Sequence, residues 1–176
     1  MTITDPSWAH PDPAAAGIRL DLVPSDVLHA LARGETDAIG SPYLAGPVCV
    51  GLWRLRSEQI LTTPADHPWV TRLIVDPAVP MPVGVAGFHG APDDRGMVEV
   101  GYRVDPAWRR RGYARRALEI LISEAERHPD VEIVRATISP DNAPSISLVT
   151  AYGFVADGEQ WDDEDGLEII YERDAA

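Results

Sequence analysis

The apolar residues change period at Gly112. Upstream, Val98, Val100, Tyr102 and Val104 alternate with Glu99, Gly101 and Arg103, the two-residue repeat of a strand over Met97–Val104. Downstream, Ala114, Ala117, Leu118, Leu121, Ile122 and Ala125 fall at i, i+3, i+4, i+7, i+8 and i+11, one stripe of an amphipathic helix that Pro129 ends. A further apolar run, Val131–Ile138, follows. A strand, a helix with one apolar face and a second strand can bury those surfaces only by packing the helix against a sheet.

The rest of the chain continues in the same manner. Residues 1–17 are rich in Pro, Ala and Asp, show no period and are read as a flexible leader. Residues 18–176 form one domain, of a length that buries an adequate core. Ile18, Leu20 and Leu22 alternate as a first strand, and Ser25 is placed to cap a helix that runs to about Arg33 before Gly34. Residues 35–47 carry Gly40, Pro42, Gly46 and Pro47 and read as loop; Val48 to about Leu61 reads as helix. Trp69–Val75 and Val83–His89 read as strands. Ser139-Pro140-Asp141-Asn142 turns into a short helix near Pro144–Ala151, closed by Gly153. Phe154–Trp161 and Leu167–Arg173 close the chain as a hairpin. The expected class is α/β in the α+β sense.

Composition excludes several functions. The net charge is -13, from 15 basic and 28 acidic residues, so a general nucleic-acid binder, which needs a basic surface, is not expected. A negative surface attracts a cationic partner. No stretch reaches the roughly 18 apolar residues of a membrane span, and no signal peptide is visible. The single cysteine, Cys49, leaves no internal disulfide and no cysteine-based metal site. A cytoplasmic protein without a metal is the expectation.

The basic residues are unevenly placed. Arg109, Arg110, Arg111, Arg115 and Arg116 surround Gly112, where strand gives way to helix. First-turn N–H groups of a helix lack partners and carry partial positive charge, anions settle there, and arginines add charge-assisted bonds. The small residues Gly112 and Ala114 would let a phosphate approach the backbone. The alternative is a solvated, basic helix start. The patterns of a P-loop, a dinucleotide fold, a zinc protease helix and a nucleophile elbow are absent.

Val98-Glu99-Val100-Gly101-Tyr102-Arg103-Val104-Asp105-Pro106 followed by Arg109-x-x-Gly112-x-Ala114 resembles the acetyl-CoA motif of the GNAT superfamily of N-acyltransferases. Asn142-x-x-Ser145-x-x-Leu148, ending in Gly153-Phe154, resembles the second half of that signature, in the Rim-type branch that acetylates protein N-termini. The resemblance covers about residues 18–173. It implies a GNAT-like mixed, mostly antiparallel sheet of six to seven strands, splayed between strands near 97–104 and 131–138 and flanked by about four helices. It implies that acetyl-CoA, as cosubstrate, lies in the split. Tyr102 and Val104 would pair with its pantetheine arm, Arg109, Arg110, Arg111, Gly112, Tyr113, Ala114 and Arg115 would hold its pyrophosphate, and Asn142 would bond the arm from the other side.

The activity so implied is N-acetyl transfer by direct attack of a primary amine on the thioester, with no metal. The acceptor would be a protein N-terminus, a polyamine, an aminoglycoside or another small amine, with a cationic acceptor favoured by the net charge. Such chemistry needs a base for the ammonium, an N–H facing the developing oxyanion, expected at a bulge in the 97–104 strand, and a proton donor to the thiolate. Glu99, projecting from an otherwise apolar strand, is the candidate base, directly or through water. The position of the family's acid tyrosine holds Val149, and Tyr152 lies on another side of the helix, so the candidate donors are Ser145, which otherwise caps the short helix, and solvent. His89 ends a strand ahead of a glycine; a lone histidine there is more often structural than a border of the acceptor pocket, which is expected from residues 24–68 and 157–166. Relatives commonly form homodimers. The alternative from another class is a non-catalytic acyl-CoA-binding module, which the missing tyrosine keeps open.

Overall fold

The computed structural model describes residues 7–15, 17–163 and 166–176. Among them are eight strands and four α-helices. The strands are β1 Ser7–Ala9, β2 Arg19–Leu22, β3 Arg72–Val75, β4 Gly84–Phe88, β5 Met97–Val104, β6 Ile133–Ile138, β7 Val155–Asp162 and β8 Gly166–Asp174. The helices are α1 Ser25–Ala32, α2 Pro47–Thr62, α3 Tyr113–Arg127 and α4 Ala143–Ala151. The sheet order is β1-β2-β3-β4-β5-β6-β8-β7. Every neighbouring pair is antiparallel except β5 with β6, which a crossover through α3 makes parallel. No helix among the described residues is long and apolar enough to cross a membrane.

The mixed sheet agrees with the expectation, but it has one strand more than the six to seven foreseen. The extra strand is β1, inside the segment read as a leader. Trp8 alternates inward from β1, is 2% exposed, and packs edge-on against Phe88 with the Arg72 guanidinium 3.5 Å from its ring centre. Three residues carry too little periodicity to register in a Pro-rich sequence, yet one large aromatic makes them part of the core.

Two apolar layers sandwich the sheet. On one face α3 buries Ala117, Leu118, Leu121 and Ala125 against Leu20, Phe88, Val98, Val100 and Val134. On the other, α1 and α2 bury Leu28, Leu31, Cys49, Trp53 and Ile60 against Val70 and Val85. The caps follow local chemistry with one exception. Pro47 opens α2 at a position where its missing N–H costs nothing, and Asn142 caps α4 by accepting from the Ser145 N–H at 3.3 Å. Ser25, expected as the cap of α1, is instead its first residue after Pro24 and makes no side-chain cap.

Candidate active site

β5 and β6 stay together only briefly. Their register covers Met97, Val98 and Glu99 against Ile133, Val134 and Arg135. Beyond that, β5 pairs with β4 alone, through Val100–Val104, and β6 continues with β8 to Ile138. No register shift interrupts β4–β5, so the expected bulge is absent. The split arises because each strand follows its own partner. The His89 N–H donates to the Glu99 carbonyl at 2.8 Å and the Asp105 N–H to the Val83 carbonyl at 3.0 Å. Alternation along an antiparallel ladder then turns Gly101 and Arg103 toward β4 and the backbones of Val100, Tyr102 and Val104 into the opening.

A groove of about 1050 Å³ runs from this opening to the start of α3. Its walls hold Tyr102, Val104, Arg109, Arg110, Gly112, Tyr113, Ala114, Arg115, Asn142 and Ser145, which are the residues expected there except Arg111. Gly112 adopts φ +78° and Arg110, though not a glycine, φ +61°. Left-handed backbone at a residue with a Cβ costs about 1–2 kcal/mol and is characteristic of functional turns. No side chain caps α3, so its first N–H groups face the groove unsatisfied by a cap. An uncapped helix start flanked by arginines and opening on a long groove fits a pyrophosphate carrier such as coenzyme A.

Several side chains there have other duties. The Tyr113 hydroxyl donates to Asp76 at 2.7 Å, which leaves its backbone N–H for the groove. Arg109 donates from Nε to the Val104 carbonyl at 3.1 Å. Arg111 does not line the groove; its guanidinium lies 4.7 Å from the ring centre of Trp108, which does, and its carbonyl accepts from Arg116. The Tyr102 hydroxyl is buried without a hydrogen-bond partner. Ser145 lies beside it without completing a bond; burial pushes the Tyr102 phenol up, and Ser145 opposes this. Tyr152 donates to Glu119, and burial, the bond to that carboxylate and its charge push its phenol up to about 12. It lies outside the groove.

Glu99 is on the other face of β5, away from Ser145. Its Oε1 accepts from the Thr137 hydroxyl at 2.5 Å and lies 3.2 Å from His89 Nδ1. Burial pushes the Glu99 carboxyl up, but His89, Thr137 and Arg135 outweigh it and hold the group below the usual carboxylate range. The imidazole covers Gly101: a Cβ at that position would come within 2.8 Å of His89 Nε2. A side chain at 101 would therefore displace the imidazole from this position.

Beside His89 lies a second, smaller pocket of about 160 Å³ between α2, β4 and β5. Leu52 and Val85 form its apolar wall, and Arg56, Arg103 and His89 its polar one. It shares Tyr102 and Arg103 with the groove, so the two cavities meet on β5. Arg56 lies on the buried stripe of α2 with Cys49, Trp53 and Ile60. Burial pulls its guanidinium below its ordinary value against the nearby Asp66 and Glu99 charges. Cys49 is fully buried, and burial pushes its thiol up although Arg103 opposes this; a thiol in that state is no nucleophile.

Arg56, Arg103 and Thr137 escaped the sequence reading. An arginine at 56 interrupts the apolar series Cys49, Trp53 and Ile60 at helical spacing, and that interruption was the available signal. Thr137 has no such signal, since only the pairing of Glu99 with Arg135 brings it near. Among the described residues no cluster of three or more His, Cys, Asp or Glu has the arrangement of a metal site.

Residues 52–155, more than half of the chain, match the acetyltransferase (GNAT) domain family. The uncharacterized N-acetyltransferase YjdG of Bacillus subtilis (strain 168) is 36% identical over 73 residues, 42% of this chain and 44% of the relative. The L-amino acid N-acetyltransferase AaaT of Escherichia coli (strain K12) is 29% identical over 105 residues, 54% of this chain and 65% of the relative. The matched region thus spans less than two thirds of either relative. Among solved structures, RimL, a ribosomal L7/L12 alpha-N-protein acetyltransferase in complex with coenzyme A, superposes with a TM-score of 0.65 at 16% identity, over 90% of this chain and 94% of that one; the likeness is one of fold. With its split sheet, its uncapped α3 and this match, the chain belongs to the GNAT acetyltransferase family.

Proposed function

We propose that this chain is an acetyl-CoA-dependent N-acetyltransferase that passes the acetyl group directly to a primary amine, in the cytoplasm and without a metal. The observation that carries the reading is the meeting of the long groove and the small pocket at Tyr102 and Arg103. A carrier in one and an amine in the other would bring thioester and nucleophile together over β5, which is the main contribution positioning makes to such a reaction. The names of the relatives support the amine class, since one acts on L-amino acids and another on a protein α-amino group.

The chain's own groups then divide the work. The first-turn amides of α3, with Arg109, Arg110 and Arg115, hold the phosphates. The backbones of Tyr102 and Val104 and the side chain of Asn142 hold the arm, and a strand amide facing the split stabilises the developing oxyanion. Glu99 acts through His89. A carboxylate held below its usual range is a weak base by itself, but it orients the imidazole at Nδ1 and leaves Nε2 toward the junction above Gly101. The imidazole takes the ammonium proton. The Tyr102 and Ser145 hydroxyls, side by side in the groove, are the donors available to the leaving thiolate.

The test is acetyl-CoA consumption across amine classes by the wild type, His89→Gln and Glu99→Gln. His89→Gln should lower kcat about 100-fold or more with the Kd for CoA, read by calorimetry, unchanged. Glu99→Gln should lower kcat by less. If the wild type binds CoA and consumes acetyl-CoA with no amine, the chain is a non-catalytic acyl-CoA-binding module instead.

A further inference from the structure

We propose that the small pocket selects an acceptor that carries a carboxylate close to its amine, a free α-amino acid, and that Arg56 is the residue that reads the carboxylate. This rests on the acetyltransferase reading above and names the acceptor class.

The pocket's charge is the first ground. Two arginines and a histidine line it, and no carboxylate does. The protein as a whole carries -13, yet the charged side chains that wall this pocket are basic, and the nearest carboxylates, Glu99 and Asp66, lie behind them.

The second ground is the state of Arg56. It is 7% exposed. Nε donates to the Thr71 hydroxyl at 3.2 Å, and Nη1 donates to Gln59 Oε1 at 2.6 Å and to the His89 carbonyl at 3.1 Å. All three acceptors are neutral. Among the described residues Nη2 has no acceptor, and Arg56 makes no salt bridge. The two nearby acids are committed: Asp66 accepts from Gln59 at 2.7 Å and from the Ala91 N–H at 3.0 Å, and Glu99 is held by Thr137 and His89. A buried cation whose nearest carboxylates, Asp66 and Glu99, do not touch it is costly to keep, and an entering carboxylate would supply a charge in direct contact and an acceptor for Nη2.

The third ground is distance. The guanidinium that would hold the carboxylate is bonded to the main chain of His89, whose ring is the proposed base. Carboxylate and amine must therefore be separated by few bonds. About 160 Å³ leaves room for a small acceptor, and Leu52 and Val85 favour an apolar side chain on it.

The experiment compares leucine, leucinamide, 3-methylbutylamine and the dipeptide amide Leu-Gly-NH2 as acceptors for the wild type. Leucine should exceed each of the others in kcat/KM by about 10–100-fold, the range expected for hydrogen bonds to a charged group. Arg56→Gln should collapse the leucine-to-leucinamide ratio toward one. Because Arg56 is buried and its variant can unfold, Arg103→Gln, from the opposite wall, should narrow the same ratio. In parallel, calorimetry of the CoA-bound wild type should give heat with leucine and at least 10-fold weaker binding with leucinamide. A wild-type ratio near one or below, with turnover intact, overturns this inference and leaves the acetyltransferase reading standing. Equal use of Leu-Gly-NH2 does the same, because the pocket would then read the amine of a chain. If no amine is turned over, the acetyltransferase reading fails, and the leucine calorimetry still decides whether the pocket takes a carboxylate.

Discussion

At the scale of single residues, the site depends on side chains that hold other groups still. Tyr113 opens α3 and lines the groove, yet its hydroxyl is spent on Asp76, in the loop after β3. The Ala78 N–H and then the Tyr113 hydroxyl hold the Asp76 carboxyl below its usual range. A carboxyl so depressed stabilises the fold above its unfolded-state pKa and loses that contribution as pH falls through the lower folded-state value. Tyr113→Phe should therefore cost about 1 kcal/mol at neutral pH, measured by urea midpoints, and the deficit should shrink when the measurement is repeated below the ordinary carboxylate range. A deficit independent of pH would mean that Asp76 is not the partner that matters. The residue scale is also where the sequence said least. Glu99 was legible as an outlier on an apolar strand, but not its 3.2 Å contact with His89, on which its proposed part in orienting the imidazole rests.

At the scale of elements, the turn into α3 is the critical join. It was legible because every part of it is local: the period changes, the arginines cluster, and glycine stands where the chain needs positive φ. The structure adds that Arg110 shares this strained conformation, and that no side chain competes for the helix start. Gly112→Ala places a Cβ on a left-handed backbone; space is not the obstacle, since the nearest atom would be an Arg116 nitrogen at 3.9 Å. The cost is conformational, about 1–2 kcal/mol. The variant should lower the urea midpoint accordingly and weaken CoA binding in a calorimetric titration. Unchanged CoA affinity would show that the turn does not hold the carrier. The opening of the sheet is also an element-scale property, but its cause lies elsewhere. Nothing in Met97–Val104 marks Glu99 as the last residue to pair with β6, because β8 and β4 draw the two strands apart.

At the scale of the whole molecule, the two apolar layers share one sheet and should unfold together. β1 belongs to that unit through Trp8, which lies against Phe88 and over the buried Arg72. Trp8→Ala should cost about 3–5 kcal/mol and shift a single denaturation transition without splitting it; a small effect would return this segment to the role of a leader. A total of -13 suggested a cationic acceptor, whereas arginines line the pocket beside His89, and the proposed carboxylate-bearing acceptor rests on them. What the sequence determined by itself is what depends on neighbours along the chain: strand and helix periods, the glycine and arginines of the α3 turn, and the turn that leads into α4. Only the tertiary structure decided which distant residues meet. Arg56 reaches the His89 carbonyl across 33 positions and Thr137 reaches Glu99 across 38. Such contacts arise from helix packing and strand register, which depend on the burial of the whole core and leave no periodic trace in either segment.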